Sequence, residues 1–229
     1  MVPHPPLLIP ELVAGAAAGT EPVRRACVAA GKRLASISRH WLAIAGDPVF
    51  HGLTSADAVG TFRGYGVDKI VSLAEGGDVD DADPALPLPV LVAGWLREQA
   101  GTAEVVVQTI DPGGSVNDSK RVGERLARQD RSVGLLVLGD GSSRHPGPSG
   151  HPDPRAVAFD AGVRDALATA DLDALLGLDV SLAAALDVSG RSAWQALAGA
   201  AAGRQWEAEL LYSDAPFGVG YHVACWEPV

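Results

Sequence analysis

Imidazole and carboxylate groups are the side chains through which this chain could bind a metal or move protons, and their spacing decides which chemistry is open to it. The six histidines are His4, His40, His51, His145, His151 and His222. No two stand at i, i+4 or in an H-E-x-x-H pattern, so any metal site must be assembled across the fold. His40 precedes a strand and His222 lies within one, which favours core or surface roles for both. The string Pro3-His4-Pro5-Pro6-Leu7-Leu8-Ile9-Pro10-Glu11 is different. Proline restricts itself and the residue before it, so His4 is held with little freedom, as a ligand should be.

Other chemistries find no support. There is no G-x-S-x-G elbow, and Gly141-Ser142-Ser143 lacks the following glycine. Gly113 to Lys120 has no phosphate-cradling register, and its Asn117-Asp118 reads as a turn or helix cap. Gly76 to Pro89 carries Asp78, Asp80, Asp81 and Asp83 without the central glycine and late glutamate of a calcium loop, so it reads as a solvated loop.

The elements that must position these groups alternate between helical and strand patterns. Thr20 to Arg39 places Val23, Ala26, Cys27, Ala30, Leu34 and Ile37 at helical spacing behind a Thr20-Glu21-Pro22 opening. Trp41 to Ala45 is a short apolar strand closed by Gly46-Asp47-Pro48. Strand patterns follow at 69–73, 104–110 and 132–138, and helical ones at 90–99, 116–128, 154–169, 172–186 and 191–202. The segments 207–212 and 219–225 read as a closing hairpin. The run Ser132 to Leu138 is continuously apolar, which implies burial on both faces, so the expected fold is one α/β domain, three layers deep (α/β/α), with a mixed central sheet. Ligands in such sheets sit at the carboxyl ends of strands, which directs attention to Gly46–Thr54 and Gly139–Pro154.

Composition narrows the setting. The chain has 229 residues, 47% hydrophobic and 20% charged, enough to bury a large core. A net charge of −10 without a basic stripe argues against nucleic acid as a partner. No apolar run is long enough to span a bilayer, and the N-terminal stretch lacks a signal-peptide layout, so a cytoplasmic protein without a membrane partner is expected. Cys27 and Cys225 are too few for a disulfide framework and are expected to be buried thiols. A homo-oligomer is a base-rate expectation for such a fold.

The Pro-flanked His4 segment resembles the start of the class III extradiol ring-cleavage dioxygenases of the LigB-like superfamily, which includes the Memo-like proteins. The likeness runs along most of the chain. Ala45-Gly46-Asp47-Pro48-Val49-Phe50 is similar to the family's S-P-H-G-P-V-F turn, and Gly60 to Gly66 to the glycine-rich piece after it. Leu138-Gly139-Asp140-Gly141-Ser142-Ser143-Arg144 is similar to G-D-L-S-H-R, with Phe159-Asp160 matching a downstream F-D. Gly190-Arg191-Ser192 resembles a late E-C-G-x-R-S segment.

The resemblance implies Fe(II) held by two histidines and a glutamate, open to a small aromatic diol and O₂, with a further histidine as acid/base. Carried over by residue, His4 is the first ligand, Asp47 stands at the second, Val188 at the glutamate and Ser143 at the acid/base position. His51 and Asp187 lie beside two of these positions, and His145 lies two beyond Ser143. The candidate set is therefore His4, Asp47 and His51 for metal, His145 and Ser143 for catalysis, and Asp140 and Arg144 for substrate. Three functions follow from it: an extradiol dioxygenase using Fe(II), a member of the fold that binds a ligand or partner without metal, and a hydrolase using a non-iron metal.

Overall fold

The computed structural model describes residues 1–13, 17–128, 133–147 and 151–229. Its central sheet has the order β2 (Gly52–Thr54), β5 (Glu104–Ile110), β1 (His40–Gly46), β6 (Gly134–Leu138), in which β1 pairs parallel with β5 and β6, and β2 pairs antiparallel with β5. The sheet is mixed, as expected. The small ladder of β3 (Val59–Thr61) with β4 (Ile70–Ser72) is antiparallel, as is the closing hairpin of β7 (Trp206–Asp214) with β8 (Tyr221–Pro228).

Alternation along the strands builds two cores. In β1, Trp41, Ala43 and Ala45 face one cluster with Val23 and Cys27 of helix α1 (Ala17–Ile37) and Val90 and Leu96 of α2 (Leu88–Ala100). Leu42 and Ile44 face the other, with Phe159 and Val163 of α4 (Arg155–Thr169) and Trp194 and Ala198 of α7 (Arg191–Ala201). Burial on both faces is why the strands read as continuous apolar runs. The start of the strand read at Ser132 lies outside the described residues; from Val133 on, β6 is flanked by β1 and by Val2, which bridges Leu138 in parallel.

Some boundaries differ from the sequence reading. The first helix covers Ala17–Ile37 and carries Pro22 inside it, so the Thr20-Glu21-Pro22 opening expected from the sequence is not its start. The expected helix over 172–186 is two: α5 (Leu172–Leu176), capped by Asp171, and α6 (Val180–Ala185), capped by Asp179. Each carboxylate accepts a backbone N–H and so starts a new helix that periodicity alone runs together. Helix α3 (Val116–Leu126) starts at Ser115, whose hydroxyl accepts the Asp118 N–H.

Helices α3 and α7 touch backbone to backbone. A methyl on Gly123 would overlap the Ala196 carbonyl oxygen, and one on Gly199 that of Lys120. On the other face Cys27 is fully buried, and burial pushes its thiol far above the ordinary range, while Cys225 is partly exposed. Because the thiolate is the reactive form, a thiol reagent is expected to titrate at most Cys225 in the native protein and Cys27 only in denaturant. Rapid reaction of both without denaturant would contradict that burial. Among the described residues no helix is long and apolar enough to cross a membrane.

Candidate functional site

Two non-helical segments form the floor of a cleft at the carboxyl end of β6. Residues 140–143 leave that strand and run beside 186–190, the link from α6 to α7. The Gly190 N–H donates to the Asp140 carbonyl at 2.9 Å and the Ser143 N–H to the Leu186 carbonyl at 3.3 Å. The Asp140 N–H adds a bond to Ser189 Oγ at 3.2 Å. Above this floor opens a cavity of about 600 Å³ whose apolar wall includes Leu7, Leu12, Leu88 and Val219. Asp140, Ser143, Asp187, Ser189, Tyr65 and Tyr221 bring oxygen atoms to its lining residues.

His4 reaches the floor because Val2 is zipped onto β6 and prolines fix the turn behind it. Its backbone N–H donates to Asp140 Oδ1 at 2.8 Å, and its ring Nδ1 stands 3.8 Å from the same oxygen. The residue is only 6% exposed and Nδ1 has no hydrogen-bond partner among the described residues. Buried polar atoms are nearly always paired, so this nitrogen stands out as one whose bonding capacity the protein leaves unused. Tyr221 is held far above the ordinary phenol range by burial first and then by the charge of Asp140.

Asp187 occupies the cleft while its neighbour Val188 is buried in the core. Adjacent residues of a helix or strand point apart, and on that ground sequence reasoning keeps Asp187 from standing in for Val188. Asp187 belongs to neither element: it has left α6 with φ of 51°, a left-handed conformation that Asp tolerates, and its carboxylate pairs with Arg144 at 2.5 Å and receives Ser143 Oγ at 3.5 Å. Arg144 is thereby tied to the rim.

The remaining candidates do not join them. Asp47 turns its Oδ1 back onto the Val49 and Phe50 N–H groups at 3.0 and 2.7 Å, closing the turn after β1. His51 places Nε2 2.9 Å from the Asp47 carbonyl and lines a second cavity of about 270 Å³ with Gln108, Asp111 and Asp118. His145 does not line the cleft; its Nε2 lies 2.6 Å from Asp160 Oδ2. Among the described residues no group of three or more His, Cys, Asp or Glu side chains could hold a metal ion. His4, Asp47 and His51 therefore do not fit the two-histidine, one-carboxylate arrangement that Fe(II) would need.

Sequence reasoning missed Asp160 and His222 as parts of the site's support. Asp160, 4% exposed, takes the Ser142 N–H on both carboxylate oxygens at 3.2 and 3.1 Å, and His222 Nε2 lies 3.7 Å from Oδ1. His222 Nδ1 in turn contacts Ser213 Oγ at 2.9 Å across the β7–β8 hairpin. Gly141 and Gly220 leave no side chain against the carboxylate, where a methyl on either would overlap it. The signal available in the sequence was a charged residue on the inward stripe of α4, beside Phe159.

No family model and no curated protein matches the chain. Among solved structures, the uncharacterized protein JW3007 from Escherichia coli K12 is similar, with a TM-score of 0.52 and 14% identity over 87% of this chain and 91% of that one. At that identity the likeness shows the shared α/β fold.

Proposed function

We propose that this chain is a divergent member of the extradiol dioxygenase fold that binds a small aromatic ligand in the Asp140–Asp187 cleft without the family's iron chemistry. One observation carries the reading: apolar wall and acceptor-lined floor meet in a single cavity, while the residues standing at the iron positions lie apart. The volume suits a small molecule, and a few placed polar groups on an apolar lining are how such sites fix orientation. A flat ring packs against Leu7, Leu12, Leu88 and Val219, and its donor groups reach Asp140 and Asp187.

A second reading keeps a non-iron divalent metal in a hydrolase, for which the unpartnered His4 Nδ1 and Asp140 would supply two ligands, one short of the three that a catalytic zinc site takes. One experiment separates the readings. The protein is loaded anaerobically with Fe(II), Zn(II) or Mn(II), desalted, and its metal content measured by elemental mass spectrometry beside His4→Ala, while catechol binding is followed calorimetrically. The expected result is catechol binding with well under one metal per chain and no ring-cleavage chromophore in air. About one iron per chain, lost in His4→Ala and accompanied by that chromophore, would restore the dioxygenase. Retained zinc or manganese, lost in the same variant, would select the hydrolase.

A further inference from the structure

The two carboxylates on the cleft floor differ in how they are compensated. Asp187 is matched by the Arg144 guanidinium at 2.5 Å. Asp140 has no such partner: Oδ1 takes the His4 backbone N–H, Oδ2 takes no hydrogen bond from the described residues, and the side chain is 17% exposed, all of this beside an apolar wall. The free oxygen of this carboxylate opens onto the cleft, where a cation seated against it makes a charge-assisted bond in place of water. Near it stands the second uncompensated group, His4 Nδ1, in a residue 6% exposed with its ring facing the same carboxylate.

The nature of the cation follows from the walls. A hydrated metal ion would turn its waters onto Leu7, Leu12, Leu88 and Val219, whereas an ammonium on an apolar body satisfies floor and wall together. A neutral diol gains one charge-assisted hydrogen bond from this carboxylate, whereas an ammonium gains that bond and the attraction of opposite charges as well. Resting on the reading of the cleft as an aromatic-ligand site, we infer that its ligand is a protonated amine carried on an aromatic or similarly flat apolar group, with Asp140 as counter-ion and Asp187 as a subsidiary acceptor.

Calorimetric titration of metal-free protein with 2-phenylethylamine, neutral 2-phenylethanol and anionic 3-phenylpropanoate tests this. The amine is expected to bind at least about tenfold more tightly than the alcohol, the increment of a charge-assisted hydrogen bond, and the propanoate not measurably. Asp140→Asn, which keeps the oxygen that receives the His4 N–H, should bring the amine close to the affinity of the alcohol while weakening the alcohol far less. Asp187→Asn should preserve most of the preference. The wild-type ratio of amine to alcohol decides charge selection without any variant. An alcohol as tight as the amine would overturn the inference and leave the aromatic cleft standing. A preference lost in Asp187→Asn and kept in Asp140→Asn would overturn the assignment of the counter-ion. Failure of all three ligands and of catechol to bind would remove the cleft reading itself.

Discussion

Asp160→Ala is expected to lower the free energy of unfolding by about 3–5 kcal/mol, the cost of removing one partner from a buried charged cluster. The change strips the acceptor from the Ser142 N–H and from His145 Nε2, and leaves His222 Nε2, already without a hydrogen bond, facing an empty space. Denaturant titration followed by tryptophan fluorescence measures it, and a loss under about 1 kcal/mol would show that Asp160 is solvated and only decorative. Asp160→Asn should fall between, since the carboxamide keeps one acceptor. The floor should loosen together with the hairpin, because the carboxylate joins residues 142 and 145 to His222, so ligand affinity is expected to weaken in Asp160→Asn even where the protein remains folded.

Gly123→Ala is the second large effect. Its methyl would overlap a backbone carbonyl of α7, which has no rotamer by which to retreat, so the helices must separate along their contact. Overpacking of this kind costs about 3 kcal/mol. Gly199→Ala, at the reciprocal contact with Lys120, should cost a similar amount, and the double variant less than the sum, because one separation of the helices accommodates both methyls. Denaturation midpoints of the two single variants and the double variant check this, and strict additivity would show that the two contacts yield independently. As a control, Gly162→Ala on α4, where no atom lies within 4 Å of the added methyl, should be neutral or slightly stabilising.

How much could be read in advance depended on the range over which each feature is determined. The strands β1 and β5 and the helices α2 and α3 follow from local apolar period and caps, and their positions were legible to within a few residues. The carboxyl ends of β1 and β6 are singled out by sheet topology, and residues that follow each strand line one of the two cavities. Of the residues singled out, Asp140 and Ser143 lie on one floor, with His4 bonded to Asp140 and Arg144 paired with Asp187 at the rim, whereas Asp47, His51 and His145 are committed to a turn, a second cavity and the Asp160 cluster. The separation of these groups is set by loop conformation, which spacing does not encode. Asp187 shows it most plainly: a single left-handed residue after α6 sends its side chain into the cleft and Val188 into the core, an outcome that period-based reasoning does not reach. Asp160 could not be weighed from sequence because its partners lie 15 and 18 positions before it and across a hairpin that follows it.

The seating of the first residues beside β6 bears on when the cleft comes into being. Met1 exchanges backbone bonds with Ala224, 223 positions away, and the His4 N–H bonds to Asp140 136 positions away. Contacts of such sequence separation carry the largest loop-closure entropy and are rewarded late in folding. A chain that has formed its helices and the β5–β1–β6 ladder still lacks the Leu7 and Leu12 wall of the cleft and the His4 bond to Asp140 until this short segment docks between β6 and β8. On the proposed reading of the cleft, a ligand at Asp140 would act as a fastener on this long-range seam, stabilising the native state by mass action.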